Sequence, residues 1–259
     1  MCLLAISWRS DHRFPLVLIA NRDELHARPS APVARWEDAP QVLGGRDLDF
    51  GGTWLGVSEA GRLAAVTNVR GPRDPGEHRT GASRGLLTRD FLIGDLDAEN
   101  LRRTDLDRYN PFNLIAIDGA QAWFLTNRPA ADVRPLAAGL HGLSNGPIDD
   151  VWPKTLCAKT ALANWLVSGA DDPAPLFAVL ADETVAPDQD LPDTGVGLER
   201  ERALSPAFVR GEVGGTRCST VILVDSRGAG RMLERRFGPL GASLGETALG
   251  FSWPARRWD

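Results

Sequence analysis

Cys2 is the residue in this chain best placed to do chemistry, because Met1 alone precedes it. Methionine aminopeptidase trims an initiator methionine when the next side chain is small, and cysteine qualifies. The trimmed chain would begin with a thiol and a free α-amine on one residue. An α-amine titrates near about 7.7–8.0 and a thiol near about 8.5, so one deprotonates the other close to neutral pH without a histidine. By default a cysteine at position 2 is an accident of sequence, but this one also opens a predicted strand. Other amine bases are scarce: of the 29 basic residues only Lys154 and Lys159 are lysine, and arginine stays protonated.

The run Asn21-Arg22-Asp23-Glu24 follows five apolar residues and reads as the polar end of a buried strand. In a hairpin with the first strand, that end returns to Cys2. A carboxylate there would hold an α-ammonium, and a guanidinium would lower the thiol pKa. Period-two alternation keeps the four side chains from facing one way. Either Asn21 and Asp23 face the site or Arg22 and Glu24 do, unless a bulge intervenes; the bland reading is a solvated turn with an internal ion pair. Three more polar spots close predicted strands, around Asn68, Asn145 and Arg217. An asparagine amide is a natural oxyanion donor, and Arg217 would steer an anionic substrate or the thiolate. Taken singly each is ordinary turn chemistry, Asn145-Gly146 above all.

Positioning these residues requires hairpins. Apolar runs pair across polar turns at 2–7 with 16–20, 54–57 with 63–68, 113–117 with 122–127, and 219–225 with 230–236. Helical spacing appears over 83–93, over a long segment from Pro153 to a stop at Gly169, over 175–181 and over 198–204, while 182–197 reads as a surface loop. Strand pairs with helices between them predict two stacked antiparallel sheets with a helical layer on each outer face, a four-layer αββα sandwich of α+β class. No Pro/Gly/Ser linker divides the chain, so 1–259 is read as a single domain.

Bulk properties exclude several classes. A net charge of -5 with no basic stripe argues against nucleic acid. No apolar run approaches the roughly 20 residues of a membrane span. The N-terminus has neither the basic segment nor the cleavage site of a signal peptide. Three cysteines, Cys2, Cys157 and Cys218, at no metal-like spacing read as reduced thiols in a cytoplasm. The histidines His12, His26, His78 and His141 are scattered, so no protein-built metal site is expected and no cofactor is required. A lone histidine or cysteine suffices to ligate haem iron, which keeps haem as a permitted ligand.

Asn21-Arg22-Asp23-Glu24 followed by Arg28-Pro29-Ser30 resembles the signature of the NRDE family, also called the transport and Golgi organisation protein 2 family. Gly44-Gly45-Arg46-Asp47, Gly51-Gly52-Thr53-Trp54-Leu55-Gly56, Thr67-Asn68-Val69-Arg70 and Ser83-Arg84-Gly85 continue the match in order. Gly142-Leu143-Ser144-Asn145, Trp152-Pro153-Lys154 and Gly215-Thr216-Arg217 extend it over nearly the whole chain. The resemblance implies kinship with N-terminal-nucleophile hydrolases, whose fold is the αββα sandwich and whose members choloylglycine hydrolase, penicillin V acylase and acid ceramidase cleave amides with an N-terminal cysteine. By similarity, Cys2 would be nucleophile and base, Asn145 an oxyanion donor and Arg217 the late active-site arginine. Those enzymes place their early arginine and aspartate three residues apart, whereas Arg22 and Asp23 are adjacent; the pair spaced by three is Asn21 and Glu24. The family is also associated with haem handling and lipid or acyl-CoA metabolism. Two expectations follow: an amidohydrolase acting on a small acylated substrate, with Cys2, Arg22, Asp23, Asn145 and Arg217 catalytic and Asn21, Glu24 and Asn68 binding, or a cytosolic binding protein for haem or an acyl lipid.

Overall fold

The computed structural model describes residues 2–71, 81–119 and 121–254, the side chains of Cys2 and Ala98 excepted. Met1 and His78 therefore lie outside the described residues.

Two antiparallel sheets form the centre. The first has six strands: β10 (Gly139–Leu143), β1 (Cys2–Trp8), β2 (Leu16–Leu25), β11 (Gly214–Val224), β12 (Ala229–Phe237) and β13 (Ser243–Ser252), in that spatial order. The second has seven in chain order: β3 (Ser30–Arg35), β4 (Val42–Asp47), β5 (Leu55–Ser58), β6 (Arg62–Asn68), β7 (Phe112–Asp118), β8 (Gln121–Thr126) and β9 (Asp132–Pro135). The helices are α1 (Arg84–Ile93), α2 (Ala98–Arg103), α3 (Pro153–Ser168), α4 (Ala174–Leu180) and α5 (Leu198–Ala203).

Alternation along the central strands builds three apolar layers. Leu4, Ile6, Leu16 and Leu18 meet Leu43, Leu55, Leu63 and Ile115 between the sheets. On the opposite face, Leu3, Ala5, Val17 and Ile19 pack against Ala158, Leu162 and Trp165 of α3 and Leu176 and Leu180 of α4. The seven-stranded sheet turns Ala64, Leu114 and Ala116 toward Leu87 and Phe91 of α1 and Leu101 of α2. This is the expected αββα order. Strands buried on both faces carry near-continuous apolar runs here even though their pairing is antiparallel, because helices cover both outer faces.

Two expectations need correction. The second strand does not stop before Asn21; β2 runs on to Leu25, so the polar motif lies inside a strand, with Asn21 and Arg22 paired on both sides and Asp23 and Glu24 paired with β11. Its polarity is accommodated by specific hydrogen bonds, given below, rather than by exposure. And β3, β4, β9, β10 and β13 were not expected from hairpin patterning; the glycines of β4 make room for a neighbour. A Cβ at Gly45 would stand 2.3 Å from the Trp54 ring. Gly52 and Gly85 likewise meet backbone to backbone, with a Cβ at Gly52 only 2.3 Å from the Gly85 carbonyl carbon.

Candidate functional site

The register places Cys2 directly opposite Arg22, and Arg22 directly opposite Cys218, which in turn faces Arg236. One lateral row of the six-stranded sheet therefore runs Cys2, Arg22, Cys218, Arg236. The β11 bulge between Thr216 and Cys218 inserts Arg217 beside this row.

Alternation sorts the motif. Leu16, Leu18 and Ala20 point between the sheets, so Arg22 does as well; its guanidinium stacks on Trp54 with Cζ 4.0 Å from the ring centroid, and the residue is 6% exposed. Asn21 points the other way. Its Nδ2 donates to the Leu180 and Ala207 carbonyls at 2.7 and 2.8 Å, and its Oδ1 accepts from Ser219 Oγ at 2.6 Å. Asn21 thus ties β2 to the helical layer rather than facing a ligand. Asp23 is also buried, accepts from Thr216 Oγ1 at 2.7 Å, and borders a large open cleft. Glu24 borders the same cleft and faces the Arg28 guanidinium at 3.9 Å. Arg28 is also bound by Asp47 through Nε at 3.0 Å and Nη2 at 2.5 Å.

Asn68 ends β6 at the cleft wall, and Asn145 sits beneath it, 0% exposed. Asn145 Nδ2 donates to both Asn68 O (2.9 Å) and Asn68 Oδ1 (3.1 Å). Both of its amide hydrogens are engaged, so it has no donor left for an oxyanion in this arrangement. Arg217 is similarly occupied. Its Nη1 donates to the carbonyls of Leu25 (2.8 Å), His26 (3.2 Å) and Arg28 (3.0 Å), and its Nη2 to Ser30 Oγ (3.3 Å). Burial, and then the neighbouring charge of Arg22, lower the Arg217 pKa from its ordinary value. The register thus gathers Cys2, Arg22, Asp23 and Arg217 at one end of the six-stranded sheet, while Asn68 and Asn145 form a separate pair on the cleft wall.

Several participants carried no assigned role from sequence. Arg70 and Glu201 form a buried ion pair, and Glu201 Oε1 accepts from Thr194 N (3.0 Å) and Thr194 Oγ1 (2.5 Å). This pair pins the 182–197 segment over the cleft. Arg70 also lies over the Trp152 ring at 5.0 Å and donates its backbone N–H to Asn145 O at 2.7 Å. The sequence signal was present in Thr67-Asn68-Val69-Arg70, but the acid partner 131 positions later has no local signature. Neither lysine is available as a base: Lys154 donates to the Leu204 carbonyl at 2.9 Å, and Lys159 pairs with Asp149 at 2.7 Å. Among the described residues no cluster of three or more His, Cys, Asp or Glu is arranged to hold a metal, and no helix is long and apolar enough to cross a membrane.

Comparison with known proteins agrees with this architecture. The sequence profile of Transport and Golgi organisation 2 matches residues 1–239. The chain is 34% identical over 249 residues to the Transport and Golgi organization protein 2 homolog of Bos taurus, covering 87% of this chain and 88% of that one. It is 33% identical over 245 residues to the Homo sapiens homolog, with the same coverage. Among solved structures, a mutant conjugated bile acid hydrolase from Clostridium perfringens superposes with a TM-score of 0.51 over 100% of this chain and 94% of that one, at 11% identity. That likeness concerns the fold, which is the N-terminal-nucleophile hydrolase sandwich. With a family profile covering most of its length and relatives above 30% identity over most of theirs, the chain belongs to the Transport and Golgi organisation 2 family.

Proposed function

We propose that this protein is an N-terminal cysteine amidohydrolase-like protein that cleaves a non-peptide C–N bond of a small acylated amide. The observation that carries this reading is the pairing of Cys2 with Arg22 at the head of a central strand, with Asp23 one position beyond. Met1 removal would free an α-ammonium at the strand head next to the Asp23 position, and a thiolate at Cys2 would be favoured by the buried guanidinium of Arg22, the residue opposite it in register. In the proposed reaction the α-amine takes the thiol proton and sulfur attacks the amide carbon. The tetrahedral intermediate collapses as the C–N bond breaks, and the ammonium returns its proton to the departing amine. Water, deprotonated by the same amine, then hydrolyses the thioester and restores the thiol. Incubation with a panel of N-acyl amides should release free amine from the wild type and none from Cys2→Ala. Equal release from both would remove Cys2 from the chemistry.

A second reading rests on the cleft. Its volume of about 2140 Å3 exceeds the roughly 300–1,000 Å3 of ordinary small-molecule sites. Its walls combine apolar Leu25, Val69, Val151, Leu156 and Val196 with charges of both signs, Arg28 and Arg200 beside Glu24 and Asp150 among them. These dimensions and the mixed apolar and charged walls suit a bulky amphiphile, so the alternative is a binding protein for haem or an acyl lipid such as an acyl-CoA, using the cleft without turnover. Retained binding of such a ligand by Cys2→Ala, with no amide hydrolysis by the wild type, would favour it. A cytoplasmic location is part of this proposal, supported by cysteine usage: three cysteines at no metal-like spacing suit a reducing compartment.

A further inference from the structure

Between the two sheets, behind the head of β1, lies a cavity of about 20 Å3 bordered by Leu4, Ala20, Arg22, Trp54, Ala65 and Thr67 among others. It is large enough for one water-sized group, since about 10–15 Å3 suffices for that, and too small for a tetrahedral oxyanion. Asn21 and Thr220 also border it, the Asn21 amide already bonded to Leu180, Ala207 and Ser219, and two polar side-chain atoms in its lining lack a partner. Arg22 Nη1 is buried without a hydrogen-bond partner, and so is Thr67 Oγ1. Their residues are 6% and 2% exposed, and both line this cavity.

Such atoms demand a partner. Burying a guanidinium without a counter-charge is costly, and stacking on the Trp54 face recovers only part of that cost. Among the described residues, no acid borders the cavity: Asp23 accepts from Thr216 Oγ1 and borders the cleft instead. Glu24 lies at the cleft, facing Arg28. Glu234, 1% exposed, accepts from Val33 N at 2.9 Å. Burial pushes its pKa up, against the opposing pull of that hydrogen bond, the Cys218 thiol, Arg236 and Arg22. Other cations stand close by: Arg217 feels the charge of Arg22, and Arg236 shares its lateral row. The end of the row thus collects the guanidiniums of Arg22, Arg217 and Arg236 near the buried Glu234, with Asp23 buried on the cleft side.

We propose that Arg22 and Thr67 form a binding site for a single monovalent anion of halide size in this cavity. The guanidinium supplies charge and one N–H, the hydroxyl supplies a second donor, and the apolar walls exclude larger, strongly hydrated anions. A water molecule would satisfy the hydrogen bonds but leave the charge uncompensated, which is why an anion is favoured. The site shares Arg22 with the chemistry proposed at Cys2, but chloride binding is read without turnover, so the two proposals can fail separately.

The test is the 35Cl NMR linewidth of chloride titrated into the full-length protein, with ionic strength held constant by gluconate. Wild type should broaden the line saturably, and bromide should displace the effect. Thr67→Val, which keeps the shape and removes the hydroxyl, should weaken binding at least about tenfold, and Arg22→Met should abolish it. Arg200→Ala, which removes an exposed cleft arginine, should leave it intact. No broadening in wild type, meaning water alone fills the cavity, would overturn the proposal. So would broadening unchanged in Thr67→Val or lost in Arg200→Ala. Because Thr67→Val alone decides the matter, a poorly folding Arg22→Met does not obscure it.

Discussion

Arg22 and Trp54 face one another across the gap between the sheets, guanidinium carbon 4.0 Å from the indole centroid, and Gly45 lies behind the indole. This joins two of the sequence motifs in one contact. The glycine of the Gly44–Asp47 motif is small so that the tryptophan of the Gly51–Gly56 motif can cover the arginine of the Asn21–Glu24 motif. A methyl group at position 45 must displace the indole ring. Gly45→Ala is therefore expected to destabilise the fold by about 1–3 kcal/mol, read as a lower urea midpoint. It should also alter indole fluorescence in a way that Trp54→Phe abolishes. A midpoint unchanged from wild type would mean that Trp54 does not sit over Gly45.

The Arg70–Glu201 pair makes a second prediction. Removing one member of a buried ion pair strands the other, at a cost of about 3–5 kcal/mol. Glu201→Gln should lose a large part of that, and because Glu201 also holds Thr194, amide hydrogen exchange should rise selectively over residues 183–197. Arg70→Met combined with Glu201→Leu should recover part of the stability. A Glu201→Gln protein as stable and as protected as wild type would contradict the pairing.

His141, Asp149 and Lys159 define a third, read through pH. His141 Nδ1 meets Asp149 Oδ2 at 2.7 Å and Nε2 meets the Ala137 carbonyl at 2.9 Å. Both partners are acceptors, so the imidazolium satisfies them best, and the Asp149 hydrogen bond raises the His141 pKa against the opposing effect of burial. Burial pushes the Asp149 carboxyl up, but hydrogen bonds from His141, Lys159 and Gly142 N outweigh it and hold it well below the usual carboxylate range. For the raised histidine, the stabilisation is complete below the unfolded value of about 6.5 and fades as pH rises through the folded value. For the depressed carboxylate it is present above about 3.9 and is lost as pH falls. His141→Gln should therefore differ most from wild type near pH 6 and progressively less toward pH 9. Asp149→Asn should converge on wild type in strong acid. A His141→Gln difference that grows with pH would reverse the assignment.

The Asn68–Asn145 contact gives a fourth. Since both Asn145 amide hydrogens go to Asn68 O and Oδ1, Asn145→Asp replaces a donor with an acceptor facing two acceptors. We expect a loss of about 1–3 kcal/mol and loosening of the 144–152 loop by hydrogen exchange. If unfolding stability is untouched while acyl transfer at Cys2 collapses, Asn145 is an oxyanion donor after all and its amide must turn away from Asn68 during reaction.

Where the sequence carried a strong period, the fold was legible. The β1–β2 and β11–β12 hairpins and α3 follow from alternating or helical apolar spacing between polar turns. It failed where burial is one-sided or unusual. In β3 only Val33 is buried, and in β13 only Phe251, so neither edge strand shows alternation. The motif in β2 reads as a strand end because Asn21, Arg22 and Asp23 are polar, yet all three are buried and individually partnered or stacked. Glu234 looks like an exposed position in an alternating strand, whereas its carboxylate crosses to Val33 of the other sheet. Hydrophobic period encodes layers; it does not encode a polar group held by a partner 201 positions away. The candidate site was legible as a neighbourhood, through hairpin geometry, but the engagement of Asn145 and Arg217 with other protein groups required coordinates.

The central claim is that the residue opposite Arg22 is a free, reactive N-terminal cysteine. Intact mass spectrometry of the purified protein before and after a limiting dose of an acylating thiol probe, with peptide mapping, tests it most directly. The expected result is a chain lacking Met1 and a single acyl adduct on Cys2, formed well before any on Cys157 or Cys218 and absent from Cys2→Ala. A retained Met1, or an adduct that appears first on the exposed Cys157, would contradict it.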